Sequence, residues 1–442
     1  MYQVNYGGFT IFVGETTGKW LCFENPLMGN EVSKKIALDT SCFDTYPDKI
    51  REILYTKLRD IDIKGNNKTV PFSLLIIVTS NNCNLKCKYC YMSANLEKRE
   101  EMISSNKIIE IIDAFSNEYK RDSFEVLFQG GEPLLSFNEI KEAIKYFERN
   151  GRKYSFCIQT NGTLLDAEKL RFFKEHGVRL GISRDGFKEG SNDIRSGGSD
   201  INIVLDEKEK LLKEEYGKYG IISVVSKKNI KQIYEYAINL FARGVNVFSF
   251  NPFFPIGRGS GMEDDLPEIQ QYIEEMKKLF ILIYKKNVSE NYLELEKYSE
   301  TNIRILWEKI FKRKYEQSCC NKAPCGAAQS TFTVDWTGNI YPCTYFLPVL
   351  EEGHKLGSIE NVHEAVAVGR SCSVRYRDTS KIPKCNVCPY AKICGGGGCS
   401  GSIYYSKGIH GESYYCEYYK EMIPFLLTKT MELLNKKILT NF

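Results

Sequence analysis

Short apolar runs separated by glycines open the chain, and a helical pattern follows them. The first three runs are rich in aromatic and β-branched residues, and Gly7-Gly8 and residues 14–18 divide them, which predicts a small antiparallel sheet. Two helices are then predicted near 31–37 and 46–59, because apolar residues of the second recur at helical spacing. The predicted strands are 2–6, 9–13 and 19–23.

From residue 74 to about residue 251, short buried-type strands alternate with amphipathic helices such as 106–119 and 137–149. Six such repeats predict a parallel sheet with crossover helices, and right-handed crossovers would curl it into an open barrel. Ligand sites of such a sheet lie in the loops beyond the carboxyl ends of the strands. The predicted strands are 74–78, 123–128, 154–160, 178–183, 219–225 and 245–251.

Two further patterns follow in the rest of the chain. Residues 263–316 have the pattern of charged amphipathic helices, and a hairpin is predicted later with its turn at 336–338. The length allows two or three domains. We expect an α/β protein with three parts: a small α+β domain at 1–70, a partial (β/α)6 barrel with bridging helices at 71–316, and a cysteine-rich domain at 317–442.

Composition narrows the classes of function. The chain has 442 residues and a net charge of +4, which is too mild to indicate binding to nucleic acid or to a membrane surface. No apolar stretch approaches the ~20 residues of a membrane helix, and no signal-peptide pattern opens the chain, so we expect a cytoplasmic protein. In that compartment sixteen cysteines indicate metal centres rather than disulfides.

Three cysteines, Cys83, Cys87 and Cys90, follow the first barrel strand at C-x3-C-x2-C spacing. Three thiolates in one loop would leave one iron of a four-iron cluster without a protein ligand. A zinc loop, or three ligands of a closed cluster, would also explain these residues alone. The spacing resembles the radical SAM family, which implies that S-adenosylmethionine (SAM) binds the open iron through its amino and carboxylate groups. Tyr89 stands where that family usually has an aromatic residue.

Loops after the next three strands resemble the SAM-binding segments of the same family. The G-G-E-P segment at 130–133 ends the second strand, and paired glycines let the backbone approach a ligand closely. A T-N-G segment ends the third strand and an S-x-D-G-like segment ends the fourth, with an arginine twelve residues after its serine. An arginine fork suits the carboxylate of SAM. The resemblance implies that the cofactor-binding residues are Tyr89, Gly130, Gly131, Glu132, Asn161, Ser183 and Arg195.

The cysteines between 319 and 416 resemble the SPASM extension, which binds two auxiliary [4Fe–4S] clusters. One departure is that four glycines, Gly395–Gly398, stand where the family usually has three residues. The resemblance implies that the first auxiliary cluster is held by Cys319, Cys325, Cys343 and Cys399. It implies that the second is held by Cys385, Cys388, Cys394 and Cys416. Cys320 competes with its neighbour for the first cluster, and a pair of zinc sites is the alternative.

Together these resemblances imply an enzyme with three [4Fe–4S] clusters that cleaves SAM to a 5′-deoxyadenosyl radical. The SPASM family mostly acts on peptides, so we expect a ribosomally made precursor peptide as substrate and a thioether crosslink as product. A carbon–carbon crosslink or an epimer is the alternative within this class. A flavodoxin- or ferredoxin-type protein would supply electrons. The winged-helix-like order of residues 1–70 is typical of modules that bind the leader of a precursor.

Two other functions compete with this interpretation. Anaerobic sulfatase-maturating enzymes form formylglycine, and they typically place a catalytic aspartate directly after the cysteine equivalent to Cys343. This chain has Thr344 there, which weakens that alternative. A zinc-stabilised binding module is the non-enzymatic alternative, and it leaves the six strand–helix units unexplained.

Overall fold

The structure is a computed structural model. It describes residues 1–15, 17–25, 34–35, 52, 71–94, 102–121, 123–188, 191–196, 201–292, 295–311, 325–347, 354–372, 377–399, 401, 403, 407–436 and 438–440.

Fifteen strands are present among the described residues. They are β1 (Tyr2–Tyr6), β2 (Phe9–Val13), β3 (Trp20–Glu24), β4 (Lys34–Lys35), β5 (Leu74–Val78), β6 (Glu125–Gln129), β7 (Ser155–Thr160), β8 (Arg179–Ser183), β9 (Gly220–Val225), β10 (Val247–Pro252), β11 (Ser299–Glu300), β12 (Thr331–Val334), β13 (Asn339–Tyr341), β14 (Gly357–Ser358) and β15 (Ile438–Thr440).

Twelve α-helices are present in the same ranges. They are α1 (Ser105–Tyr119), α2 (Phe137–Arg149), α3 (Ala167–Glu175), α4 (Asp193–Ser196), α5 (Ile201–Leu211), α6 (Ile233–Ala242), α7 (Ile269–Ser289), α8 (Thr301–Phe311), α9 (Val362–Arg370), α10 (Pro383–Asn386), α11 (Ala391–Cys394) and α12 (Cys416–Leu433).

The first sheet confirms the three predicted amino-terminal strands and extends them. β1, β2 and β3 pair antiparallel in chain order, while β4 and β15 cover the two outer edges. The helix predicted near 31–37 is wrong at Lys34 and Lys35, because these residues pair with β1 as a strand. The second predicted helix lies outside the described residues except for Glu52, which is helical.

The second sheet contains the predicted barrel. β5 to β10 lie side by side in chain order and are all parallel, and each begins within two residues of its predicted start. Long strips of β-branched and aromatic residues make these strands, and helices between them cover one face. In α1, for example, Ile108, Ile111, Ile112 and Phe115 are buried at helical spacing. The α/β partial barrel is therefore confirmed.

The predicted hairpin is present and is attached to the barrel. β12 and β13 pair antiparallel across a turn in which Gly338 has a φ of 95°, and the Asp335 carboxylate accepts the backbone N–H groups of Thr337 and Asn339. β12 also pairs in parallel with β5, which places Thr331 opposite Leu74. The cysteine-rich part therefore extends the barrel sheet at the strand that leads into the first cysteine motif.

No described helix combines the length and the apolar character that a membrane span requires.

Candidate active site

The loop that carries Cys83, Cys87 and Cys90 leaves the carboxyl end of β5 and is held by an arginine from the far edge of the barrel. Arg258, after β10, donates its backbone N–H to the Cys90 carbonyl at 2.9 Å and its Nη1 to the Cys87 carbonyl at 2.8 Å. Its Nη2 donates to the carbonyl of Ala94. One residue therefore fixes three carbonyls of the loop, two of them through its side chain, a role that the sequence pattern did not reveal.

The glycine pair after β6 packs directly against the start of this loop. Gly131 donates its N–H to the Ser80 carbonyl at 2.9 Å, and a Cβ there would lie 2.0 Å from the Asn82 carbonyl oxygen. A Cβ at Gly130, where φ is 147°, would lie 2.6 Å from the Ser80 carbonyl oxygen. Both positions therefore require glycine for a reason other than close approach to a ligand. The cysteine loop occupies the space that a side chain would need.

Glu132 is fully buried, and its carboxylate joins two loops. Oε1 accepts from the Thr160 hydroxyl at 2.6 Å and from the Leu134 N–H at 3.0 Å, while Oε2 accepts from the Asn161 N–H at 2.8 Å. Burial raises the pKa of Glu132, and these hydrogen bonds lower it. Its side chain therefore positions the segment after β7 against the segment after β6.

Asn161 continues this connection to the cysteines. Its Nδ2 donates to Asn84 Oδ1 at 2.9 Å and lies 3.9 Å from the sulfur of Cys83, while its Oδ1 accepts from the backbone and hydroxyl of Thr163. The carboxamide therefore lies beside the first thiol, at the edge of the position that a cluster would occupy.

Tyr89, Asp185 and Arg195 form a buried polar group next to the loop. The Tyr89 hydroxyl donates to Asp185 Oδ2 at 2.5 Å and accepts from Arg195 Nη1 at 3.0 Å, and the two charged side chains are 3.9 Å apart. Burial disfavours the charge of Arg195, but Tyr89, Cys87 and Asp185 outweigh it, so the pKa of Arg195 is raised. Arg195 stays charged and lies close to the second thiol.

One atom of this group has no partner in the described part of the chain. The Nε of Arg195 is buried without a hydrogen bond. An unsatisfied buried donor costs about 1–3 kcal/mol, more when it is charged. A carboxylate that reaches Arg195 would remove this cost, so the residue fits the carboxylate-binding role predicted from the sequence.

A cavity of about 260 Å³ opens beside these residues. Asp185 and Tyr89 line it, together with residues after β9 such as Ser226 and Asn229. Ser183 ends β8 and is half-buried, and its hydroxyl makes no hydrogen bond with another described residue. The predicted cofactor-binding residues therefore occupy neighbouring loop ends on one edge of the sheet.

The segment after β13 covers the cysteine loop. Cys343 and Tyr345 pack in one apolar cluster with Cys83, Cys90 and Tyr91, and the rings of Tyr91 and Tyr345 are 5.2 Å apart. Thr344 lies between them, and its hydroxyl is 3.5 Å from Gln129 Oε1 at the carboxyl end of β6. The residue after Cys343 therefore faces the mouth of the barrel.

Four of the predicted auxiliary ligands come together. Cys385, Cys388, Cys394 and Cys416 line one small cavity, although thirty-one positions separate the first from the last. The four glycines after Cys394 all have positive φ, between 72° and 105°, so the extra residue is accommodated by left-handed backbone. Burial raises the pKa of Cys385 to about 12 and that of Cys388 to about 11, so a bound metal would be needed to ionise these thiols at neutral pH.

The other auxiliary ligands are placed on segments in contact. Ala328, shortly after Cys325, donates its N–H to the Pro342 carbonyl at 3.0 Å, which joins the two ends of the hairpin. A Cβ at Gly401 would lie 3.0 Å from the Cβ of Tyr345. The segments of Cys325, Cys343 and Cys399 thus meet, while Cys319 and Cys320 lie outside the described residues.

No three His, Cys, Asp or Glu side chains in the described ranges converge on a single ion.

Comparison with known sequences identifies related proteins. The sequence model of the radical SAM superfamily matches residues 77–250. A cysteine-type anaerobic sulfatase-maturating enzyme of Clostridium perfringens is 27% identical over 382 residues, which cover 83% of this chain and 99% of that protein. A protein of Methanocaldococcus jannaschii described as uncharacterised is 31% identical over 223 residues, which cover 48% of this chain and 74% of that protein.

Two solved structures share the fold. Native anSMEcpe with bound AdoMet and Cp18Cys peptide superposes with a TM-score of 0.68 at 23% identity, covering 83% of this chain and 99% of that one. Streptococcus suis SuiB bound to precursor peptide SuiA has a TM-score of 0.54 at 17% identity, covering 94% of this chain and 100% of that one. Because the uncovered 6% is shorter than residues 1–70, the second match includes part of the amino-terminal segment.

Proposed function

This chain is a SPASM-type member of the radical SAM superfamily, and we propose that it is a cytoplasmic maturase of a ribosomally made precursor peptide. The reaction proposed is formation of an intramolecular thioether between a cysteine sulfur and a carbon atom of the peptide. The product has two hydrogen atoms fewer than the precursor, because one S–H and one C–H bond are replaced by one S–C bond. The carbon would give up its hydrogen atom to the adenosyl fragment of cleaved SAM, and the thiol would lose a proton while an auxiliary cluster accepts the remaining electron.

The packing around the cysteine loop supports this proposal. Cys83, Cys87 and Cys90 lie between the loops that follow the next barrel strands on one side and the Cys343 segment on the other. Ligands of parallel sheets bind at this edge. A peptide that enters the mouth of the barrel would therefore meet both the SAM site and the auxiliary segment.

The residues present fit the group that they would hold. The three thiols would bind a [4Fe–4S] cluster, Arg195 and Ser183 would bind the carboxylate of SAM, and the backbone of Gly130 and Gly131 would face its amino group. When reduced, the bound cluster and SAM would supply a 5′-deoxyadenosyl radical. The chain's own residues would orient SAM and exclude water from the site.

Thr344 favours thioether formation over formylglycine formation, the reaction of the sulfatase-maturating alternative. Formylglycine formation calls for a carboxylate at this position, and the neutral hydroxyl of Thr344 lies there instead, 3.5 Å from Gln129. The relative from Clostridium perfringens nevertheless favours formylglycine formation as the second candidate function, because the match covers 99% of that protein.

The N-terminal segment supports a peptide substrate. A leader would bind to the sheet of residues 1–70, and the extent of the match to SuiB, whose structure contains a precursor peptide, supports this role. Eight further cysteines would hold two auxiliary [4Fe–4S] clusters, with Cys319 as the proposed fourth ligand of the first. A flavodoxin- or ferredoxin-type donor would deliver the electrons.

Two peptides test the proposal. The first is a cysteine-containing precursor encoded beside the gene, and the second is the Cp18Cys peptide. Both are incubated with the reconstituted, reduced protein and SAM and then analysed by mass spectrometry. We expect the precursor to lose two hydrogens and its thiol to resist alkylation, while Cp18Cys stays unchanged. An aldehyde in place of the Cp18Cys thiol would establish the second candidate function instead.

A further inference from the structure

Arg377 is a buried cation near the carboxyl-terminal cysteines. Arg377 is only 8% exposed. Its two Nη atoms donate to the backbone carbonyls of Ile409, Gly396 and Gly411. The guanidinium thus joins the glycine loop after Cys394 to the loop that precedes α12.

This cation has no anionic partner among the described residues. No described carboxylate forms an ion pair with Arg377, and its Nε is buried without any hydrogen bond. Carbonyl groups satisfy donors but do not neutralise a charge, and burying an unpaired charge is costly. Other stabilising charge must therefore lie close by.

The only ionisable groups that act appreciably on Arg377 within the described chain are two thiols. Burial lowers the pKa of Arg377, while Cys385 and Cys394 raise it. Both cysteines line the cavity that the four auxiliary ligands share. The missing negative charge would thus come from thiolates bound to metal in this cavity.

The glycine loop connects the arginine to one of these sulfurs. The backbone N–H groups of Gly396 and Gly397 donate to Cys394 and lower its pKa, although burial raises the pKa overall. The carbonyl of Gly396 accepts from Arg377 at 3.0 Å, and a Cβ on Gly396 would lie 2.7 Å from the arginine Nε. Only glycine at this position allows the guanidinium to lie so close to the cysteine.

The other cations near these cysteines are more exposed to solvent than Arg377. Lys420 is paired with Glu417 at 3.2 Å and Lys384 with Glu412 at 3.0 Å, and all four side chains are at least one-third exposed. Solvent and a partner carboxylate both weaken their effect. Lys309 also acts on Cys394, but it is half-buried rather than buried.

We propose that Arg377 is the counter-charge of the cluster held by Cys385, Cys388, Cys394 and Cys416, and that it raises the reduction potential of that cluster. The inference rests on the auxiliary cluster of the proposed function. One-electron reduction adds one negative charge to the cluster, and a buried cation nearby stabilises the reduced form more than the oxidised form. Arg377 is therefore a positioning and tuning residue.

Redox titration of the full reconstituted chain, followed by electron paramagnetic resonance, tests this inference. The step that disappears in Cys388→Ala belongs to this cluster. In Arg377→Gln we expect that step to move to a more negative potential by at least about 59 mV, which is tenfold in a one-electron equilibrium constant. Arg377→Lys keeps the charge and should stay near the wild-type value. Lys384→Gln, a charge removal beside the same cluster but in solvent, should leave the potential unchanged.

Three results would overturn the inference. The first is an unchanged potential in Arg377→Gln with full iron content. The second is an equal shift in Arg377→Lys, or loss of the cluster from both variants, since either result would make Arg377 only a structural clamp. The third is a wild-type protein without a four-iron cluster at these cysteines, which would refute the auxiliary-cluster assignment itself. If only Arg377→Gln loses the cluster, a wild-type potential in Arg377→Lys supports the inference.

Discussion

Arg195 lies between the cysteine loop and the proposed SAM site. Its Nη1 donates to the Tyr89 hydroxyl and is 3.9 Å from the Asp185 carboxylate, while its Nε has no partner in the described residues. One edge of the guanidinium is therefore fixed by protein groups, and the other is the edge that we propose for the ligand. A planar, bidentate donor suits this arrangement better than a point charge.

Replacing Arg195 by Lys keeps the charge but removes the fork. We expect the dissociation constant for SAM to rise at least tenfold, equivalent to about 1.4 kcal/mol, because bidentate contact with the carboxylate is lost. Isothermal titration of reconstituted protein with SAM measures this. Arg179→Lys, an exposed change at the opposite end of β8, is the control and should bind SAM as the wild type does. Equal affinities for all three proteins would remove Arg195 from the SAM site.

The roles of some residues could not be predicted from the sequence. The motif at 130–133 gave the location of Glu132, yet two of its hydrogen-bond donors, on Thr160 and Asn161, lie on a later segment that only folding brings near. Arg258 is a similar case, since its partners precede it by 164 to 171 positions. Spacing along the chain identifies residue types that chemistry needs, but it carries no information on which loop ends touch.

At the scale of elements, the turn at Gly257–Gly259 after β10 holds the cysteine loop in place. Gly257 has a φ of 60°, and a Cβ there would lie 2.1 Å from the Tyr91 carbonyl oxygen. Gly261, four residues on, also has a positive φ, 82°, but faces open space. Substitutions at Gly257 and Gly261 therefore distinguish the effect of backbone strain, which both share, from the effect of steric crowding at Gly257 alone.

Gly257→Ala should therefore damage the cluster site and Gly261→Ala should not. Both variants carry the strain of a positive φ, while only the first forces the loop of Cys90 and Tyr91 to move, at a further cost of about 1–3 kcal/mol. Iron content after reconstitution and the midpoint of urea unfolding are the measurements. Matching iron content and stability in the two variants would show that the turn does not support the loop.

The elements themselves were predictable where the local pattern was strong. The predicted strands at 74–78 and 154–160 became β5 and β7 with little change, and the glycine turn at 336–338 became the β12–β13 hairpin. The errors arose where tertiary pairing decided the outcome. Lys34 and Lys35 became a strand because the open edge of β1 was available, and no sequence signal announced that β12 would pair with β5.

At the scale of the whole molecule, distant parts of the chain complete each other's sheets. β15 covers β3 of the amino-terminal sheet, and β12 extends the barrel sheet next to β5. Trp20 joins the amino-terminal sheet to the bridging helices: it is fully buried, its Nε1 donates to the Ile310 carbonyl at 2.7 Å, and its ring meets Phe311 edge-on at 5.5 Å. The proposed leader-binding sheet and the barrel thus share a packed boundary.

Trp20→Phe keeps an aromatic ring but removes this hydrogen bond. We expect a loss of about 1–3 kcal/mol in the free energy of unfolding, because this buried hydrogen bond is lost and the smaller phenyl ring fills less of the boundary. Urea denaturation followed by circular dichroism measures this loss. Trp336→Phe, at a half-buried turn, is the control and should change stability less. Two separate unfolding transitions in the wild type would contradict a shared boundary.

The three-thiol loop is the proposed site of catalysis, and SAM cleavage by the reduced protein is the sharpest test of that role. We predict that anaerobically reconstituted wild-type protein converts SAM to 5′-deoxyadenosine and methionine under reduction. The combined Cys83→Ala, Cys87→Ala and Cys90→Ala variant should lose this activity completely while it retains the iron of the auxiliary clusters. Cleavage at the wild-type rate by the triple variant, or a colourless wild-type protein that binds zinc in place of iron, would contradict the account.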